Sequence, residues 1–161
     1  MEQEIPVQAP NEPPRGRHNA KLDDKGRLKL PVVFQEYLNR FPERKLFVTS
    51  IDRSTAQIYP ISVWRENERL LKEFKGDPQT AKDVAFNAND LGADVEMDNQ
   101  GRILINTDLR QELDMEGQTL HLYVEKGRIK VLTEVVYQAE RQARAKRAAA
   151  SAEKMETEGL L

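Results

Sequence analysis

Leu22-Asp23-Asp24-Lys25-Gly26-Arg27-Leu28-Lys29-Leu30 is one short stretch that this chain writes twice. Its second copy is Met97-Asp98-Asn99-Gln100-Gly101-Arg102-Ile103-Leu104-Ile105, 75 positions further on. Asp, Gly and Arg keep their places, and apolar residues flank them on both sides. Such a pattern asks for a tight turn between two extended segments. Asp23 and Asp98 can accept from backbone amides inside their own turns. Gly26 and Gly101 supply the positive φ at which the chain reverses. Arg27 and Arg102 stand at the turn exits, able to face a carboxylate or a phosphate.

Working outward, the chain of 161 residues has room for one domain or two small ones. The internal repeat favours two similar halves folding together. Hydrophobic residues make up 39% and charged ones 32%, so polar tails around a smaller core are expected. There is no cysteine, which excludes disulfides and thiolate metal sites. No apolar run approaches the roughly 20 residues that span a membrane. The acidic start, Met1 to Glu4, has no apolar core behind it and does not read as a signal peptide. A cytoplasmic location is expected. The net charge of −2 means that any nucleic-acid site must be a local patch.

Residues 1–14 carry four prolines and little to bury, and read as a disordered arm. From Arg15 to Lys29 the chain turns basic: Arg15, Arg17, Lys21, Lys25, Arg27 and Lys29 face only Asp23 and Asp24. A solvated strand edge competes with a polyanion site for this run. Pro31 can open a helix carrying Phe34, Leu38 and Phe41. Leu46–Ile51 and Gln57–Tyr59 read as strands around the turn Asp52-Arg53-Ser54-Thr55. Ser62 is the expected N-cap of a helix to Phe74, with Val63, Leu70, Leu71 and Phe74 on or near its apolar face. Asp77-Pro78 opens another helix to about Phe86, and Asn87–Gly92 is expected to connect it onward.

The second half repeats the order. A strand enters the second turn at Asp94, Asn106 or Thr107 caps a helix carrying Leu109 and Leu113, and Leu120–Val124 and Ile129–Leu132 flank a Lys126-Gly127 hairpin turn. Thr133 caps a last helix that loses its apolar stripe after Gln138. The expected organisation is an arm at 1–14, a first repeat at 15–62, a helical linker at 63–92, a second repeat at 93–137 and a charged helical extension at 138–161.

Alternation separates the two copies. Leu28 and Leu30 share one face and Arg27 and Lys29 the other, so the first copy has a cationic outer side. Arg102 shares its face with apolar Leu104, so the second strand is expected to be more buried. Arg102 is then structural, paired with Asp98 or with a residue of the other half. No catalytic constellation is present. His18 and His121 are the only histidines, and His121 reads as a packed or surface strand residue. Asp23 and Asp24 are adjacent in a turn and form no carboxylate dyad. Nucleophile-turn, metalloprotease and phosphate-loop motifs are absent. No enzyme activity, cofactor, metal or small-molecule substrate is expected.

The doubled D-x-x-G-R turn, each copy followed by a short helix and a strand pair, resembles the MraZ family of bacterial regulators. The likeness covers about residues 15–137. Leu22-Asp23-x-Lys25-Gly26-Arg27-Leu28-x-Leu30-Pro31, with Gly16 upstream, is similar to that family's first motif. Ile58-Tyr59-Pro60 with Trp64 is similar to a second. The resemblance implies an α+β fold: a swapped-hairpin β-barrel made by two AbrB/SpoVT-like repeats with flanking helices. It further implies ring-shaped homo-oligomers, nucleoid association and sequence-specific binding to double-stranded DNA upstream of the division and cell-wall gene cluster. Arg27 matches the family's key DNA-contacting arginine, and Arg15, Lys25 and Lys29 match its basic face. Asp23, Gly26, Asp98, Gly101 and Arg102 match the turn framework. Asn106 departs from the family's usual proline, and the terminal extensions exceed its usual domain. A scaffolding ring that binds protein and an antitoxin-like regulator are the competing readings.

Overall fold

The computed structural model describes residues 12–161; the expected disordered arm therefore lies outside the described residues up to residue 11. The elements, in chain order, are β1 (His18–Ala20), β2 (Arg27–Lys29), α1 (Val32–Asn39), β3 (Lys45–Thr49), β4 (Ala56–Pro60), α2 (Ile61–Glu73), α3 (Pro78–Asp90), β5 (Ala93–Glu96), β6 (Arg102–Leu104), α4 (Thr107–Leu113), β7 (Leu120–Glu125), β8 (Arg128–Leu132) and α5 (Glu134–Glu156). The fold is α+β, and every strand pair is antiparallel.

The two halves exchange strands. β1 of the first half lies on β7 of the second, and β5 of the second lies on β3 of the first. The hairpins β3–β4 and β7–β8 meet through β4 and β8. This gives one six-stranded sheet in the order β1-β7-β8-β4-β3-β5. β2 and β6 form a separate two-stranded ladder. The expected closed barrel is not formed: β1 and β5 stay at the two edges of the sheet, and the short ladder does not join them.

One core holds the halves together. Leu28 and Leu30 from the first copy, Ile103 and Ile105 from the second, and Phe34 and Leu109 from the helices that follow are each at most 1% exposed. Full burial of each such side chain is worth about 1.5–3 kcal/mol. A second, smaller cluster lies under α2, where Trp64 meets Phe47 and Tyr59 at ring distances of 4.7 and 4.9 Å.

Several caps form where the sequence places them. Asp77 accepts from Gln79 N ahead of Pro78, Asn106 from Leu109 N, and Thr133 from Val136 N. Lys126 and Gly127 both take positive φ in the β7–β8 turn. Other expectations are corrected. Pro60, not Ser62, occupies the N-cap of α2, because the helix already starts at Ile61. Asn87–Asp90 continues α3 instead of connecting it onward; Thr49 Oγ1 donates to Ala88 O at 2.7 Å and ties the helix end to β3. Of the apolar face expected on α2, Val63 packs against the Trp64 cluster, whereas Leu70, Phe74 at the C-cap and Phe86 of α3 are exposed and left uncovered by the described residues. Strand β1 lies within the basic run, has no apolar alternation of its own, and is paired with β7.

His121 is a packed residue at the root of α5. It stacks on Tyr137 with ring centroids 3.8 Å apart, and its Nδ1 lies 2.8 Å from Arg17 Nη1. Its Nε2 lies 2.6 Å from Glu134 Oε1, a contact that holds the Glu134 carboxyl below its ordinary pKa. Arg17, one of the six cations of the basic run, is thereby engaged in structure. None of the α5 side chains is buried.

Candidate nucleic-acid interface

The two turns close by the same set of hydrogen bonds. Asp23 Oδ1 accepts from the amides of Lys25 and Arg27 at 2.9 and 2.8 Å; Asp98 Oδ1 accepts from Gln100 and Arg102, both at 2.9 Å. The amides of Gly26 and Gly101 donate to the carbonyls of Asp23 and Asp98. Each glycine takes positive φ, +80° and +77°. A Cβ there would also overlap a side chain of the opposite half: Arg110 of α4 lies over Gly26, and Gln35 of α1 over Gly101. Neither covering residue is marked by the repeat motif. The one signal is that 35 and 110 share the offset of the repeat.

The arginines are held alike. Arg27 Nε donates to Asp23 Oδ2 at 2.8 Å, and Arg102 Nε donates to Asp98 Oδ2 at 2.8 Å. Side-chain exposure is 30% for Arg27 and 25% for Arg102. In both, the carboxylate takes the inner edge of the guanidinium. The terminal Nη groups make no hydrogen bond among the described residues, so a two-pronged donor fork stays open. Both carboxyls titrate below their ordinary value. Asp23 is lowered to about 2, chiefly by the Arg27 amide and then by the Lys25 amide and the Arg27 side chain, against partial desolvation. Asp98 is lowered, first of all by the Arg102 amide.

The ladder joins the two copies into one surface. Arg27 pairs with Leu104, Leu28 with Ile103, and Lys29 with Arg102. Leu30 N donates to Gly101 O at 2.9 Å and Ile105 N to Gly26 O at 3.0 Å. Alternation from these bonds makes Arg27/Leu104 and Lys29/Arg102 the close, non-hydrogen-bonded pairs. Leu28 and Ile103 point into the core, and Arg27, Lys29, Arg102 and Leu104 share the outer face.

Two expectations change here. The second strand is not the more buried one: β2 and β6 have the same alternation of burial, and Leu104 is 53% exposed. Its apolar character misled because hydrophobicity alone does not fix the side on which a strand residue lies. Arg102 pairs with Asp98 as expected, but Arg27 pairs with Asp23 in the same way, so ion pairing does not set the two apart. Because the strands run antiparallel, Lys29 stands opposite Arg102, at the far end of the ladder from its own turn. Lys25 is exposed at the first turn. Arg15 is not on the ladder; it precedes β1, exposed, and pairs with Glu12 at 2.8 Å.

No family model matches the chain. It is similar to proteins named transcriptional regulator MraZ. Identity is 35% over 106 residues with that of Acidobacterium capsulatum, covering 66% of this chain and 73% of that protein. It is 35% over 105 residues with that of Koribacter versatilis, covering 65% and 71%. With that of Tolumonas auensis it is 30% over 107 residues, covering 66% and 70%.

Proposed function

The chain belongs to the MraZ family of transcriptional regulators, and from that premise we propose that the outer face of the β2–β6 ladder binds double-stranded DNA. The observation that carries this reading is the pairing of Lys29 with Arg102. Like charges directly opposite on a ladder destabilise it. An anion lying across the face removes that cost. A two-stranded ribbon also fits the major groove. Arg27 and Arg102, held at Nε by Asp23 and Asp98, present their Nη groups outward, the geometry that reads guanine O6 and N7 or grips a phosphate. Lys25 and Lys29 supply phosphate contacts that position the ribbon. Arg15 is a peripheral cation in this reading.

The exchange of leading strands between hairpins supports an AbrB/SpoVT-like, swapped-hairpin kinship for the two repeats. We propose that the protein acts as a ring-shaped homo-oligomer on tandem promoter repeats of the division and cell-wall gene cluster, in the cytoplasm and on the nucleoid. Exposed Leu70, Phe74 and Phe86 support a subunit contact through α2 and α3. Repeated copies of a small cationic face would gain avidity on tandem sites, which suits a chain of net charge −2.

Selection of bound duplexes from a random pool tests the reading. The expected product is a short motif recurring in tandem, bound with an affinity that falls steeply as salt rises. Recovery of no duplex above background would overturn it.

A further inference from the structure

Resting on that reading, we infer that Leu104 is a specificity-determining residue that contacts the 5-methyl group of a thymine in the major groove. The ladder carries an internal control for this position. A half-turn about its centre exchanges Arg27 with Arg102, and Lys29 with Leu104. Three of the four outward positions are cationic, as a surface for phosphate requires. The fourth breaks the internal symmetry with an aliphatic side chain.

Leu104 is not retained for the core. Its neighbours Ile103 and Ile105 are each 1% exposed, whereas Leu104 is 53% exposed. It stands in the close pair with Arg27, so any base edge that the Arg27 fork reaches lies beside the leucine tip. Thymine is the base that presents a methyl group in the major groove, and apolar side chains recognise it there. A lysine at this place would add phosphate affinity without base preference. The leucine gives up that charge for apolar contact.

The test uses the full chain and a duplex recovered by the selection, with each thymine in turn exchanged for deoxyuridine, which lacks only the methyl. Burying one methyl corresponds to about a fourfold change in affinity. The wild type should lose about fourfold at one thymine position per bound site. Leu104→Ala should bind the same duplex but lose that sensitivity, and Leu104→Met should keep it. A wild type indifferent to every exchange, or a Leu104→Ala variant as sensitive as the wild type, overturns the inference and leaves the DNA-binding reading standing. Failure of the selection itself removes that reading, and this inference with it.

Discussion

The two D-x-x-G-R turns are built alike and surrounded differently. Bond for bond, Asp23 does for the first what Asp98 does for the second. The surroundings diverge: Arg110 lies over Gly26 where neutral Gln35 lies over Gly101, and the outer face has Lys29 where its counterpart is Leu104. Read one strand at a time, this looks like a cationic working copy and a buried structural one. The ladder places the two copies on one face, because it sets Lys29 beside Arg102 and Leu104 beside Arg27. Each end of the face is therefore made by both copies. A repeat that pairs with itself can share one function across two divergent sequences.

The comparison breaks most sharply on the arginines. Arg27→Ala and Arg102→Ala should each weaken binding to the selected duplex more than tenfold, to similar extents, with the elution position on sizing chromatography unchanged. A large loss for Arg27→Ala beside a negligible one for Arg102→Ala would restore the working-copy and structural-copy division. Next in size is Lys29→Glu. It replaces a like-charge pair with an opposite-charge one facing Arg102, so thermal unfolding should show stability raised by up to about 1 kcal/mol, while duplex binding falls. An unchanged melting temperature would mean that Lys29 and Arg102 do not feel each other.

The smallest effect concerns the turn carboxylate. Asp23 titrates at about 2, below its ordinary 3.8. A depressed folded-state pKa contributes stability above the ordinary value, and this is lost as pH falls through the interval from about 4 to about 2. The largest cause is the backbone amide of Arg27, which substitution of the side chain retains. Arg27→Ala should therefore move the Asp23 titration, followed by NMR, only part of the way back. A full return to 3.8 would assign the shift to the guanidinium instead.

The sequence alone determined a good deal, wherever the physics is local. The Asp and Gly positions specify each turn, because a side-chain acceptor and a positive φ are needed within four residues of each other. Asp77, Asn106 and Thr133 announce helix starts by the same kind of short-range bond. Alternation placed Leu28, Leu30, Ile103 and Ile105 inward. The motif also singled out Arg27, whose role in DNA binding is the proposal made above. Only the tertiary structure decided what depends on partners far along the chain. That β1 is a strand, that the sheet stays open, that α3 runs on to Asp90, and that Arg110 and Gln35 cover the glycines all follow from contacts between segments far apart in the chain. The exposure of Leu104 belongs with these. A strand's pattern says which residues share a face, but the register across to the other strand says what stands beside them, and that register joins Lys29 to Arg102 and Arg27 to Leu104, far apart along the chain.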